Sequence, residues 1–339
     1  MNIIVNPAHG NEPFILGAYI ADAVRSLLNP SATLIVPHIY SHQQRILAEL
    51  GIGNIVLDSA LGNFYGPLLF SQGDFGTYLQ AVLEQRETVE IAVRRYVYET
   101  YGAVNIEVNT GSRIRIADCI HYAFPAAVSQ VLQYTLHEEG SLGFNISDLE
   151  RSLAVAKQVE ASFATVFIPA FHTFSYDSQR VPLAREVSTP PMKPFPVPCS
   201  LDIPQQSWYC MPSGTGSEID TVLSRAKELA EQGYAVIVPP WTPHQGYRRE
   251  TPAVIAHPHV VKVVGRAGWG TLWTCQQAEK EFAHIPYRAG EDPEIFFNVR
   301  TLEAIAFLER TRQDRQRFLA HGSSYNGIQF IAQHIVSDC

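Results

Sequence analysis

Short apolar runs alternate with helix-compatible stretches from the start of the chain. Residues 3–5, 34–36 and 55–57 are apolar runs, and each is short enough to form a buried strand. Residues 14–28 and 42–50 lie between them and carry apolar side chains at near-helical spacing. Because strands that alternate with helices at close spacing are typical of parallel sheets, this order predicts a doubly wound α/β fold.

The first half continues in the same pattern. Helices are predicted at 74–100, 118–137 and 148–162, and strands at 104–108 and 164–168. The pattern then breaks at a segment that carries seven prolines, residues 181–204. Since proline fixes φ and lacks an N–H donor, this segment is predicted to be an extended connector without secondary structure.

A second series of strands and helices follows the connector. Strands are predicted at 208–211, 235–238 and 260–264, and helices at 218–232, from 271 to about 284, at 299–321 and at 327–336. The sequence therefore predicts two Rossmann-like domains. Their expected bounds are 1–180, a proline-rich linker at 181–206, a second domain at 207–318, and a C-terminal helix at 319–339 able to pack back on the first domain.

Composition excludes several classes of protein. Apolar residues make up 46% of the chain and charged residues 17%, as in well-packed globular proteins. A formal charge of −8 argues against nucleic acid as a partner. The five cysteines are scattered and never form a C-x-x-C pair, which favours reduced thiols. With no leader-like N-terminus and no apolar run long enough to span a bilayer, we expect a soluble, cytoplasmic protein.

Three loops of the second series contain residue types that suit a phosphorylated sugar ligand. Residues 213–217 read Ser-Gly-Thr-Gly-Ser between a strand and a helix, and residues 265–271 form a second glycine-rich corner. Backbone N–H groups at such corners can bind an anion, and Arg266 can neutralise a diphosphate. The acidic loop 291–294 can accept hydrogen bonds from sugar hydroxyls. Glycines that serve turn geometry alone are the alternative for each isolated loop.

Common nucleotide motifs do not account for these loops. Ile219 stands where a dinucleotide fingerprint has its third glycine, and no Gly-Lys-Ser/Thr P-loop occurs. The chain also lacks the G-x-S-x-G elbow of serine hydrolases.

The order of these features resembles the GT-B glycosyltransferase superfamily. Within it, the likeness is to the branch that holds the cell-wall lipid N-acetylglucosaminyltransferase and the macrolide and plant UDP-sugar transferases. That group has a glycine-rich loop opening its second domain, then a Gly-Gly-x-Gly-Thr corner, then an acidic loop with a following asparagine. Residues 213–217, residues 267–271, and Glu294 with Asn298 match the three in order and spacing.

The resemblance implies two Rossmann-like domains that face each other across a cleft. It implies a nucleotide-sugar donor, expected to be a UDP-sugar, on the second domain and an acceptor on the first. The donor site is then expected to comprise Ser213, Gly214, Thr215, Gly216, Arg266, Gly268, Trp269, Gly270, Thr271, Thr274, Asp292, Glu294 and Asn298. Three features depart from the family, and one of them is the acidic loop, which usually reads Asp-Gln and here offers Glu294 with Asp292 and Glu291 before it. Arg266 stands at a corner position where histidine or serine is usual, and Thr274 replaces the glutamate that holds the ribose.

Sugar transfer needs a base for the acceptor hydroxyl. His9 and Glu12 in the first loop are candidates, with capping of the first helix as the alternative for His9. Asp118 is a third candidate, although its position at the start of a predicted helix favours an N-cap. No Asp-x-Asp motif occurs, which agrees with a metal-independent mechanism and no metal ligands. Trp269 is expected in a loop, where it stacks on the ligand or packs.

Two other functions stay open on sequence. One is a nucleotide-sugar 2-epimerase-like enzyme, and the other is a non-catalytic sugar-nucleotide-binding protein of the same fold. The sequence carries no signal that identifies the acceptor, whether it is a small molecule or lipid-linked. It also carries none for peripheral membrane contact or for the oligomeric state.

Overall fold

A computed structural model of the chain describes residues 1–8, 10–69, 74–169, 180–192, 200–214, 216–242, 246–304, 306–320 and 326–338. The chain divides into two compact units, which are Met1–Lys193 with Tyr325–Cys339, and Pro194–Ser324. Each unit contains its own parallel β-sheet with helices, so the predicted α/β class is confirmed. Over the described ranges, every helix is too short or too polar to cross a bilayer.

The first unit is built on seven parallel strands in the order β3-β2-β1-β4-β5-β6-β7. They are β1 (Asn2–Pro7), β2 (Thr33–Pro37), β3 (Ile55–Asp58), β4 (Ile106–Thr110), β5 (Ile120–Ala123), β6 (Thr165–Pro169) and β7 (Glu186–Thr189). The helices of this unit that precede β7 are α1 (Asn11–Leu28), α2 (Gln43–Glu49), α3 (Ser59–Phe64), α4 (Phe75–Tyr101), α5 (Val128–His137) and α6 (Ile146–Glu160). Short helical turns lie at Gly66–Leu68 and Glu139–Gly143.

Burial follows the strand order. All five residues of β4 and of β6 are buried, as expected for strands covered by helices on both faces. The long helix α4 buries one stripe that includes Leu79, Val82 and Val93 in the main core of the unit.

The second unit has five parallel strands in the order β10-β9-β8-β11-β12. They are β8 (Ser207–Met211), β9 (Val236–Val238), β10 (Arg248–Arg249), β11 (Val260–Gly265) and β12 (Glu281–His284). Its helices are α7 (Gly216–Glu231), α8 (Trp269–Ala278), α9 (Pro293–Ala304) and α10 (Phe307–Ala320), with a 3-10 turn at Pro252–Ala256. The final helix, α11 (Gly327–Asp338), belongs to the first unit and packs on α1.

The helix predicted at 118–137 is wrong in its first half. Residues Ile120–Ala123 form strand β5, and α5 begins only at Val128. The strand lies inside the sheet, where all four of its residues are buried. A continuously apolar run suits a strand buried on both faces as well as a buried helix, which explains the error.

Three further expectations change in the structure. The prediction of a connector without elements at 181–204 is wrong at Glu186–Thr189, which pairs with β6 as strand β7. The helix predicted from 271 to about 284 ends at Ala278, because Glu279 takes a left-handed φ of 53° and β12 follows. The helix predicted at 299–321 begins at Pro293 and is two helices, α9 and α10.

Candidate functional site

The three loops singled out in the sequence meet at one edge of the second sheet. Strand β11 lies between β8 and β12, and all three strands are parallel. The loops that follow them therefore lie side by side at the carboxyl edge of the sheet, where open α/β sheets bind ligands. Each loop leads into a helix, so the amino ends of α7, α8 and α9 lie at this same edge.

The corner after β11 combines close packing with an open face. A Cβ on Gly265 would lie 3.1 Å from the carbonyl oxygen of Met211 on the neighbouring strand, so the close approach of β8 and β11 favours glycine. Gly268 is the N-cap of α8, with φ of −77° and ψ of 150°. A Cβ on Gly268 would meet no described atom within 4 Å beyond its own chain neighbours and helix backbone. Among the described residues, the amino end of α8 is therefore open at Gly268.

The first glycine-rich loop is crowded where the structure describes it. Gly214 has a φ of 100°, and a Cβ there would lie 3.1 Å from Cδ of Arg266 and 3.1 Å from Oε2 of Glu218. This glycine is required by backbone conformation and packing. Gly216 begins α7, Ser213 is half-buried, and Thr215 lies outside the described residues.

Arg266 is paired inside the protein. Its guanidinium is only 16% exposed, and Nε donates to Oε1 of Glu291, which is almost fully buried. Burial alone lowers the pKa of Arg266, but the charges of Asp292, Glu291 and Glu294 raise it overall. Burial raises the pKa of Glu291, and Arg266 opposes that shift. The charge of Arg266 is thus matched by carboxylates of the loop after β12.

Asp292 and Asn298 hold this edge together. Oδ1 of Asp292 accepts the backbone N–H of Glu294 at 3.0 Å, which caps the start of α9. Asn298 is fully buried, and its Nδ2 donates to the carbonyl of Ala267 at 2.7 Å. The amide of Asn298 therefore ties α9 to the corner after β11, and its side chain faces protein atoms.

The residues predicted along α8 lie largely inside the unit. The expectation that Trp269 is in a loop is wrong, because it is the first residue of α8 and only 3% exposed. Gly270 follows it in the first turn, and Thr271 is buried. Thr274 donates its hydroxyl to the carbonyl of Gly270 at 2.7 Å. Of the residues predicted at this corner, Gly268 is thus the one at which an added Cβ would meet open space among the described residues.

Arg288 is a cation of this edge that sequence reasoning missed. It lies in the loop after β12, and its side chain is 48% exposed. Nη1 contacts Oγ of Ser217, and Nη2 donates to Oε1 of Glu218 at 2.9 Å, both in the first turn of α7. The only available signal was its position between an apolar step and the acidic loop, which does not distinguish it from a surface arginine.

The first unit presents its own loops at the carboxyl edge of β1 and β2. His9 lies outside the described residues. Glu12 lies in the first turn of α1, which begins at Asn11. Pro13 lies in the same turn, where proline is tolerated. The backbone N–H of Gly10 donates to the hydroxyl of Tyr40 at 2.9 Å.

A second histidine lies at this edge of the first unit. His42 was assigned from sequence only to the start of a helix, and it is the residue that precedes α2. Its Nε2 donates to Oδ1 of Asn11 at 2.6 Å. Burial lowers the pKa of His42, which favours the neutral imidazole that a general base requires.

Asp118 lies at the opposite edge of the first sheet. It precedes β5, so it is at the amino ends of the strands, and the predicted N-cap role is wrong because no helix begins there. Its side chain is 96% exposed and pairs with Arg94 at 3.0 Å. Since the loop after β2 that leads to His42 is at the carboxyl edge, this placement argues against Asp118 as the base.

A buried polar cluster fixes the middle of the first sheet. The carboxylate of Glu107 accepts from Nδ2 of Asn6 at 2.6 Å, from Nδ2 of Asn109 at 3.1 Å, and from the backbone N–H groups of Ile116 and Ala117. Burial raises the pKa of Glu107, and these hydrogen bonds oppose the shift. The cluster joins β1 to β4 and to the segment that follows β4.

Comparison with known proteins identifies the fold. No protein-family model matches the chain, and no curated protein sequence matches it. Solved structures do. The Arabidopsis thaliana protein UGT89C1 in complex with UDP-L-rhamnose is similar with a TM-score of 0.59, at 11% identity over 99% of this chain and 98% of that one. The fold is GT-B.

Other GT-B structures agree over the whole length. The Streptomyces glycosyltransferase SsfS6, complexed with thymidine diphosphate, has a TM-score of 0.57 at 11% identity, with 100% of each chain covered. A UDP-glucosyltransferase from Polygonum tinctorium has a TM-score of 0.57 at 13% identity, covering 99% of this chain and 98% of that one. At these identities the likeness establishes the fold, and the expected GT-B architecture is confirmed.

Proposed function

We propose that the chain is a glycosyltransferase that moves a sugar from a nucleoside diphosphate to an acceptor hydroxyl. The carrying observation is the edge of the second sheet, where three adjacent loops, each containing a glycine, end at helix amino termini. The open space above Gly268 at the start of α8 suits the diphosphate, because backbone N–H groups and the helix dipole both favour an anion there.

The fold supports the same assignment. Similar GT-B structures were solved with UDP-L-rhamnose and with thymidine diphosphate, and another is described as a UDP-glucosyltransferase. We propose a UDP- or dTDP-sugar as co-substrate, bound on the second unit, and transfer without a metal ion. The acceptor is proposed to bind the first unit. Its deprotonation is assigned to His9, with Glu12 and His42 at the same edge of that unit.

A donor panel tests this function. The full chain is incubated with UDP-, GDP- and dTDP-sugars, and nucleotide release, free sugar and sugar epimers are measured separately. Slow release of nucleotide and unaltered sugar supports the transferase, whereas epimer formation would replace it with an epimerase. Binding without any turnover, over a broad acceptor panel, would replace it with a non-catalytic binder. Absence of binding to every nucleotide would refute all three.

A matched pair of variants locates the site. Gly268→Asp places a carboxylate in the open space above α8, so we expect it to abolish nucleotide binding. Gly53→Asp is the control, because a Cβ on Gly53 likewise meets no described atom within 4 Å beyond its neighbours, but it lies outside the second unit. Equal binding by both variants would place the nucleotide elsewhere.

A further inference from the structure

Of the two arginines at the candidate donor edge, Arg266 is already neutralised. Its guanidinium is ion-paired with Glu291, which is itself almost fully buried. The Arg266 side chain is only 16% exposed, so it could reach a diphosphate only by moving away from that carboxylate, and an uncompensated buried charge is strongly unfavourable. Arg266 is therefore committed to holding the loop.

Arg288 is differently placed. Its side chain is 48% exposed, and it extends from the loop after β12 to the first turn of α7, which follows β8. Since β11 lies between those two strands, the side chain joins the loops on either side of the strand that ends at the Gly265–Gly268 corner. Its partner Glu218 is also buried, but nearly half of the Arg288 side chain is exposed, so the guanidinium can contact a ligand at the middle loop while Nη2 stays on Glu218.

The electrostatics of this position favour an anion. The amino end of a helix carries partial positive charge, so a cation beside it is unfavourable unless negative charge is close. Glu218, in the first turn of α7, supplies one carboxylate for Arg288. A diphosphate would supply the further negative charge that Arg288 and the amino ends of α7 and α8 together can stabilise.

The backbone of Arg288 is held in place by the neighbouring buried pair. The N–H of Glu291 donates to the carbonyl of Arg288 at 3.1 Å, and the N–H of Arg288 donates to Oε2 of Glu291 at 3.4 Å. The hydroxyl of Tyr287 also donates to the carbonyl of Glu291, at 3.2 Å. The Arg266–Glu291 pair therefore fixes the base of the loop from which Arg288 projects.

We infer that Arg288, and not Arg266, is the side chain that binds and neutralises the diphosphate of the donor. The inference rests on the proposed function and assigns a role within it. In the reaction, the acceptor oxygen forms a bond to the anomeric carbon as the bond from that carbon to the β-phosphate oxygen breaks. The electron pair stays on the phosphate, the acceptor proton passes to the base, and Arg288 stabilises the nucleoside diphosphate that leaves.

Calorimetric titration of the full chain with UDP, UMP and uridine, or with the thymidine series, tests this role. Because a charge-assisted hydrogen bond contributes more than a neutral one, Arg288→Ala is expected to weaken UDP binding by about 10-fold to 100-fold. UMP is expected to lose less affinity, and uridine none. Arg288→Lys is expected to recover part of the loss, since it restores the charge without the planar fork.

Arg225→Ala is the matched control. Arg225 lies on α7 itself, is 45% exposed and, like Arg288, pairs with a glutamate of that helix, here Glu228, so its loss is expected to leave UDP affinity unchanged. UDP affinity of Arg288→Ala within twofold of wild type would overturn the inference, as would an equal loss for uridine. A wild-type chain that binds no nucleoside diphosphate would refute the proposed function itself and the inference with it.

Discussion

At the two glycine corners of the second unit, the same substitution to alanine is expected to have opposite effects on stability and on ligand binding. At Gly268 an added methyl group enters open space and the backbone φ of −77° suits alanine. The remaining cost is that alanine is a poorer N-cap than glycine, so Gly268→Ala should lower the free energy of unfolding by no more than about 1 kcal/mol. The methyl group nevertheless occupies the space assigned to the diphosphate.

At Gly214 the same change is structural. A φ of 100° is a conformation that L side chains rarely adopt, and the new Cβ would lie 3.1 Å from Cδ of Arg266. Strain of this kind costs about 1–3 kcal/mol. For a protein of 339 residues we therefore expect the melting temperature of Gly214→Ala to fall by roughly 1–4 °C.

Thermal unfolding and UDP titration of both variants separate these roles. Gly268→Ala should melt within about 1.5 °C of wild type yet bind UDP at least about 10-fold more weakly, a loss of about 1.4 kcal/mol. Gly214→Ala should have a lower melting temperature than Gly268→Ala. If Gly268→Ala binds UDP as wild type does, or melts as early as Gly214→Ala, the open corner is not the diphosphate site.

Three further predictions follow from buried or titratable groups. Glu291→Gln leaves Arg266 without its charge partner, so urea unfolding should show a loss of about 3 kcal/mol or more; a loss below about 1 kcal/mol would contradict the buried pairing. Burial lowers the pKa of His121 to about 4, with a nearby carboxylate opposing the shift. Below about pH 6.5 the unfolded chain therefore binds a proton at His121 that the folded chain does not bind. The free energy of unfolding consequently falls as the pH drops from there toward 4. His121→Phe should reduce that loss by about 2–3 kcal/mol at pH 4.5, measured by urea unfolding at pH 7 and pH 4.5, and an unchanged acid sensitivity would argue against the assignment. His9→Ala should lower turnover about 100-fold or more and leave the affinity for UDP unchanged. If His9→Ala keeps full turnover and His42→Ala loses it, His42 is the base instead.

Sequence reasoning located the strands and loops best where local signals agree. The corner at residues 265–271 was predicted as a strand leading into a helix, and the structure has β11 and α8 there. It failed where burial on both faces of a strand removes the alternation of apolar and polar residues, as at Ile120–Ala123, which is a strand inside the sheet. It also failed at Glu186–Thr189, where proline density nearby concealed a strand that exists by pairing with β6.

The candidate site shows the same division. The three loops could be predicted, because glycines and acids after strands are local features. Which charges pair could not be predicted, because the partner of Arg266 is Glu291, 25 residues later, and the contacts of Arg288 are in α7, about 70 residues earlier. Neither spacing has a sequence signature, since each pair meets only through the order of strands in the sheet.

The central claim is that a nucleoside diphosphate binds at the carboxyl edge of β8, β11 and β12. An experimental structure of the full chain with UDP tests it most directly. The account predicts the diphosphate above Gly268 at the amino end of α8, with the guanidinium of Arg288 turned toward it and the Arg266–Glu291 pair intact. A diphosphate bound at another edge, or one that takes Arg266 from Glu291 and makes no contact with Arg288, would contradict it.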